Sequence, residues 1–336
     1  MQAIHALIEA NILVAIGVLA VAFVVLALSA DIFVTSAAGI AVKFKIPRLV
    51  IGIVLVSLGT TAPELTVSLV SALKGQPEIA LGNAIGSVIC DDGLALPLCA
   101  FFSAGAIPVM RGVLATSGIF LLVIQVAAMV FILPDATLTG TEGMVLVGIF
   151  VVYTATLLWR HKKHPEDEMS ELEDIPETVE KALPALVIAF VVALAALILA
   201  SDFIVTSATT IALALHVPDA IIAVTLVAFG TSIPEIATCV TAARKGEGAL
   251  AVGNIIGADV LNICWVAGAS AIANDLIIPP EQAQLMVPSM TIIVLVMLGL
   301  LRWKHTLTKR KGAILLVLYI AYLAVSFWRF PPTIAG

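Results

Sequence analysis

Seven carboxylates fall inside long apolar stretches of this chain: Asp31, Glu64, Asp91, Asp92, Asp202, Glu235 and Asp259. An ionisable group at bilayer depth costs at least about 2.5–3.5 kcal/mol, so each needs a compensating task. Two of them keep the same company. Glu64 follows Gly59-Thr60-Thr61-Ala62-Pro63, and Glu235 follows Gly230-Thr231-Ser232-Ile233-Pro234. The proline removes a donor and clashes with the carbonyl four residues back, and the glycine loosens the same turn. Carbonyls near Gly59–Thr60 and Gly230–Thr231 are therefore expected to turn inward. Thr60 and Thr231 each stand four residues before a glutamate, which puts hydroxyl and carboxylate on one helix face. A second pattern, Gly82-Asn83-x-x-Gly86-Ser87, leads to Asp91, and Gly253-Asn254-x-x-Gly257-Ala258 leads to Asn262. Asn83, Ser87 and Asp91 share a stripe, and the glycines allow the close helix approach that would bring it against the glutamates.

The chemistry of that set is narrow. Glu64, Glu235 and Asp91 supply carboxylates, Asn262 an amide, and Thr60, Thr231 and Ser87 hydroxyls. All are hard oxygen donors, suited to Ca²⁺ with its six to eight flexible ligands. Na⁺ is nearly the same size and accepts the same oxygens. Three negative charges are balanced by three Na⁺, or by one Ca²⁺ with a proton or a residual charge. One glycine–proline kink would read as helix packing; two, each with a glutamate, point to ion binding. Asp31 and Asp202 read as hydrogen-bonding or vestibule groups, and Asp92 as facing an adjacent cavity or a partner helix. Asp259, three residues before Asn262, either braces the site or joins it. The five histidines lie near the ends of apolar stretches without a His-Glu-x-x-His pattern, and the four cysteines have no metal-ligand spacing. Neither an enzyme nor a bound cofactor is expected.

The elements that must hold these residues are membrane helices. The 336 residues are 61% hydrophobic and 12% charged, with a mean hydropathy of +1.15, against roughly 25% charged in a soluble domain. So few charges cannot cover so much apolar surface, and the solvent must be lipid. The net charge of −6 and the lack of a basic stripe exclude nucleic acid as a partner. Ten stretches are long enough to span: roughly 11–41, 47–73, 78–104, 112–133, 140–160, 182–214, 217–243, 248–273, 286–303 and 311–331. Fifteen Lys and Arg fall on one side of this arrangement and only Lys74 and Arg329 on the other. The basic side is expected to be cytoplasmic, with both termini outside and the protein in the plasma (inner) membrane. The loop 161–181, with eight acidic residues between Glu166 and Glu180, reads as a solvated linker or a cation-sensing loop.

The chain repeats itself. An offset of 171 carries Asp31 to Asp202, Thr35 to Thr206, Pro47 to Pro218, Glu64 to Glu235 and Asn83 to Asn254. The expected organisation is a five-helix repeat over 1–160, the acidic linker 161–181, and a second five-helix repeat over 182–336. Five is odd, so the second copy enters the membrane from the opposite side. Inverted repeats place a substrate site near the midplane and allow alternating access, each half adopting what the other has left. That architecture suits a secondary transporter better than a channel.

The doubled Gly-Thr-[Ser/Thr]-x-Pro-Glu and Gly-Asn-x-x-Gly-Ser motifs resemble the two repeats of the calcium/cation antiporter superfamily, most closely its prokaryotic sodium/calcium exchangers. The resemblance covers nearly the whole chain. It implies ten helices in two inverted five-helix halves, with ion sites at the centre and the first and sixth helices sliding over the core. It also implies Ca²⁺ and Na⁺ ligation by Glu64 and Glu235, further Na⁺ ligands from Thr60, Thr61, Thr231 and Ser232, and completion by Ser87, Asp91 and Asn262. Asn83, Asn254 and Asp259 would stand just behind these. Ala258 departs from the pattern where Ser87 keeps it, so one hydroxyl is missing. The expected function is Na⁺/Ca²⁺ antiport, with H⁺-coupled antiport and a cation channel as the alternatives.

Overall fold

The computed structural model describes residues 2–44, 48–163, 182–214 and 229–330. These residues are almost entirely helical. A short helix α1 (Gln2–Ala10) precedes α2 (Ile12–Phe44). A bent pair follows: α3 (48–60) and α4 (Ala62–Leu73). Then come α5 (Pro77–Phe102), α6 (Arg111–Ile132), α7 (Gly140–Lys163) and α8 (Leu183–Ala214). The second half continues with α9 (Ile233–Arg244), α10 (Gly248–Ala273), α11 (Pro280–Arg302) and α12 (Lys309–Arg329). Among the described residues, eight helices are long and apolar enough to cross a membrane, and the α3–α4 pair makes a ninth candidate. Of the seventh expected span, 217–243, the residues before 229 lie outside the described residues, as does the acidic loop from 164 to 181. Helix α1 has no counterpart among the expected elements.

Two local sequence features shape the core. Pro63 and Pro234 stand in the first turns of α4 and α9, where a missing N–H costs nothing. Each proline thus starts a new helix segment instead of kinking an old one. Thr61 and Ser232, at φ −79°, ψ 3° and φ −83°, ψ 3°, form the breaks, and α3 meets α4 at 50°. The central spans α5 and α10 also loosen, into π-helical turns at Asp91–Ala95 and Leu261–Ala267. Pro97 explains the first, because it cannot donate to the carbonyl of Gly93. No proline follows the second.

Spans α3 and α10 touch backbone to backbone. A Cβ on Gly52 would strike the Leu250 carbonyl, and one on Gly257 the Ile53 carbonyl and the Ser57 hydroxyl. Helices α2 and α8, 33 and 32 residues long, pack along each other at the periphery. Their length exceeds one bilayer thickness, as the apolar runs suggested.

Two small antiparallel ribbons mark the two ends of the bundle. β1 (Ile107–Pro108) pairs with β4 (Thr306–Leu307), and β2 (Thr137–Leu138) with β3 (Leu276–Ile277). An offset of 169 carries Ile107 to Leu276 and Leu138 to Leu307, so the pair Ile107–Leu307 becomes Leu276–Leu138. Each ribbon maps onto the other when the halves exchange, as an inverted two-fold repeat requires. Gly248 packs against Ile107, which places the start of α10 and the end of α9 at the β1–β4 end. Asn274 donates to the Ala72 carbonyl at 3.0 Å, which places the ends of α4 and α10 together at the β2–β3 end. The basic residues gather at the β1–β4 end. There His305 is held below the ordinary histidine range by desolvation and by Arg111, Arg302 and Lys311.

Candidate cation-binding site

Glu64 and Glu235 lie in the first turns of α4 and α9, where the exposed N–H groups of a half-helix favour negative charge. Both are fully buried, as are Asp91 at the start of the first π turn and Asn262 within the second. The carboxylates are close enough for Glu64 to feel the charges of Glu235 and Asp91, and for Asp91 to feel that of Glu235. Thr231 faces Glu64 and Thr60 faces Glu235. Ser232 faces Asp91. None of these approaches reaches hydrogen-bond geometry. Both oxygens of Glu64, Asp91 and Glu235, the Asn262 amide and the Ser232 hydroxyl have no hydrogen-bond partner among the described residues.

The scaffold around them is knitted across the repeats. The Thr231 hydroxyl donates to Asn83 Oδ1 at 3.0 Å, and the Thr60 hydroxyl to Asn254 Oδ1 at 3.2 Å. These are the same contact with the halves exchanged. Asn83 also donates to the Glu64 carbonyl at 3.3 Å and to Ser68 Oγ at 3.0 Å. One asparagine thereby fixes the first turn of α4 and a threonine of the opposite half. The symmetry is not complete. Ser87 Oγ lies 3.5 Å from Thr231 Oγ1, whereas Ala258 offers Thr60 nothing. Ser68 donates to the Ala80 carbonyl at 3.1 Å, whereas its counterpart Cys239 reaches the Ala251 carbonyl only at 3.7 Å through sulfur.

Most of the residues singled out from sequence converge here: Glu64, Glu235, Asp91, Thr60, Thr231, Ser232 and Ser87, with Asn83 and Asn254 behind them. The Thr61 hydroxyl instead donates back to the Ser57 carbonyl at 2.7 Å, capping a carbonyl at the helix break. Asp92 and Asp259 are both buried and face each other across α5 and α10. Asp31 and Asp202 lie away from this centre, Asp31 in an ion pair with Lys245 and Asp202 hydrogen-bonded to His5 Nε2, at 2.8 Å each. Ser57 and Ser68 escaped the sequence reading. Ser68 had a signal, since the 171 offset pairs it with another small polarisable donor, Cys239.

No three His, Cys, Asp or Glu side chains among the described residues form a group that could hold a metal ion by themselves. A cation at the centre must therefore draw on hydroxyls, amides and carbonyls as well. Such a mixed oxygen set suits a weakly held, exchangeable hard cation better than a resident transition metal.

Inverted helical halves, broken helices and buried oxygen donors at their junction define the class: a multi-pass membrane carrier of hard cations. A profile of the family described as "Sodium/calcium exchanger protein" matches residues 14–159 and 185–328, and the chain belongs to that family. It is 32% identical to "Inner membrane protein YrbG" of Escherichia coli, over 95% of this chain and 98% of that protein. It is 28% identical to "Sodium/calcium exchanger MaX1" of Methanosarcina acetivorans, over 93% and 98%. Among solved structures it resembles the sodium-calcium exchanger NCX_Mj soaked with Na⁺ and Sr²⁺, with a TM-score of 0.78 and 28% identity. That match covers 94% of this chain and 99% of the other. The protein is thus an integral membrane cation antiporter, and its relatives are transporters.

Proposed function

We propose that the protein exchanges Na⁺ for Ca²⁺ by alternating access, with both ions using the same buried oxygens. The observation that carries this reading is the set of six carboxylate oxygens of Glu64, Glu235 and Asp91, buried at the junction of the halves without a hydrogen-bond donor. Leaving three such charges bare in a low-dielectric interior is prohibitive. Either Na⁺ or Ca²⁺ neutralises them, so the carrier moves when loaded by either ion and stalls when empty. Asn262 and the hydroxyls of Thr60, Thr231, Ser232 and Ser87 complete the coordination, while Asn83 and Asn254 hold the threonines in place. Thr61 serves the break, with its lone pairs turned to the site when an ion enters.

The similarity to MaX1 and NCX_Mj, both named as sodium/calcium exchangers, supports Na⁺ as the coupling ion. Proton coupling is the second reading, and Ala258 is the residue that favours it, because it removes a hydroxyl that would serve Na⁺. The chain divides into repeats at 1–160 and 182–336 around the linker 161–181. It sits in the plasma membrane with the basic β1–β4 end in the cytoplasm and both termini outside. The name of the Escherichia coli relative is consistent with that membrane.

The reading is tested by Ca²⁺ binding to the purified protein, followed calorimetrically against rising Na⁺. Competition by Na⁺ is expected, and Glu64→Gln or Glu235→Gln should abolish Ca²⁺ binding in a protein that still folds. Ca²⁺ binding indifferent to Na⁺ but weakened by acid would favour the proton-coupled reading. Full binding in either glutamine variant would move the site elsewhere.

A further inference from the structure

Lys245, just past the end of α9, grips the peripheral helix α2 three times. Its ammonium meets Asp31 Oδ1 at 2.8 Å and donates to the Asp31 carbonyl at 3.3 Å and to Thr35 Oγ1 at 2.6 Å. The repeat offset carries each partner to an identical residue: Lys245 to Lys74, Asp31 to Asp202 and Thr35 to Thr206. The second set is not assembled. Lys74 is exposed at the end of α4, and its side chain makes no ion pair or hydrogen bond among the described residues. Asp202 on α8 is held instead by His5 Nε2 of α1 at 2.8 Å. That contact has no mirror, because the position equivalent to His5 is Pro176. Lys245 lies at the β1–β4 end of the bundle and Lys74 at the β2–β3 end, so the two sets belong to opposite membrane faces.

We propose that Lys245 and Lys74 are the two alternate arms of an ion-pair latch that positions the long helices: Lys245 holds Asp31 in one access state, and Lys74 takes Asp202 in the other. In a carrier built from two equivalent inverted halves, exchanging the roles of the halves generates the second access state. Under that exchange the contact Lys245–Asp31–Thr35 becomes Lys74–Asp202–Thr206. One set formed and the other open is what a single pose of such a molecule should show. The aspartates ride on α2 and α8, which pack along each other, so closing one arm while the other opens displaces both helices together. Both aspartates lie at the surface of the bundle, with side chains 57% and 44% accessible, so packing does not lock either in place. His5 keeps Asp202 paired while its lysine is away. An exposed ion pair shifts a two-state balance by roughly fivefold at most, so the latch biases the states and does not lock them.

The inference rests on the antiport reading only in needing two access states. The test uses the full chain in proteoliposomes, where the four native cysteines are buried. One variant carries Asp202→Cys with Lys74→Cys, another Asp31→Cys with Lys245→Cys, and both are treated with a short bifunctional thiol reagent. Both pairs should cross-link. Adding Lys245→Ala should raise the yield of the 74–202 pair by roughly two- to fivefold, and adding Lys74→Ala should raise that of the 31–245 pair alike. Cross-linking of the 31–245 pair alone, in a protein that transports, would overturn the latch. Equal yields with and without the alanine substitutions would reduce Lys245 to a structural tie and overturn it too. If the yields shift as expected but Ca²⁺ uptake ignores a Na⁺ gradient, the latch stands and the choice of coupling ion fails.

Discussion

Thr60 and Thr231 each reach across the molecule to an asparagine of the other half, and one of these, Asn83, also holds the first turn of α4 that carries Glu64. Because each hydroxyl proton is spent on Asn254 or Asn83, the hydroxyl oxygen keeps its lone pairs for a cation. The two threonines thus present acceptor oxygens, made so by the partners of their hydroxyls. Ser87 adds an oxygen beside Thr231, and Ala258 leaves the matching place beside Thr60 empty of donors. Restoring it with Ala258→Ser should change the Na⁺ dependence of transport more than the affinity for Ca²⁺. Na⁺ sites at the edge of the cluster depend on neutral hydroxyls, whereas Ca²⁺ leans on the carboxylates. An unchanged Na⁺ profile in that variant would place position 258 outside the site. Residue types were the part of the site most open to reading from sequence, since a carboxylate in an apolar run advertises itself. Directions were not. Thr60 and Thr61 look alike in the chain, yet Thr60 crosses to Asn254 while Thr61, which forms the helix break, turns back to Ser57.

At the level of elements, the two glycine–proline breaks and the π turns of α5 and α10 bring four interrupted helices to one place. The breaks were legible because proline has few options in a helix. The π turns were not, because an apolar helix with one extra residue in a turn keeps much the same pattern of side chains. The ribbons of two residues each and the nine-residue α1 fell below the length at which periodicity carries information. Close packing of α3 against α10 holds the assembly, and glycine is required where the backbones meet. Gly257→Ala would push a methyl into the Ile53 carbonyl and the Ser57 hydroxyl. It should destabilise the protein by about 1–3 kcal/mol, read as a lower midpoint of thermal unfolding in detergent. Gly82→Ala, with open space around the new methyl, should leave the midpoint unchanged or slightly raised. Equal losses for the two would show that helix propensity, not the close approach, governs both.

At the scale of the whole molecule, the inverted duplication is the property from which the rest follows. It was visible in sequence as a constant offset, and in the fold it reappears as two ribbons that exchange when the halves exchange. The exceptions to the symmetry also carry meaning: Ala258 opposite Ser87, Cys239 opposite Ser68, and one lysine in an ion pair while the side chain of its twin has none among the described residues. A carrier needs such differences to bind ions of different charge on the same scaffold, since two identical halves would present the same ligands twice. The central claim is that Na⁺ and Ca²⁺ compete for one set of buried oxygens and move in opposite directions. The direct test is uptake of radioactive Ca²⁺ into proteoliposomes loaded with Na⁺ and diluted into Na⁺-free buffer, beside vesicles carrying only a pH gradient. Uptake driven by the outward Na⁺ gradient, and absent with the pH gradient alone, is the expected result. Uptake driven by the pH gradient and indifferent to Na⁺ would contradict the account.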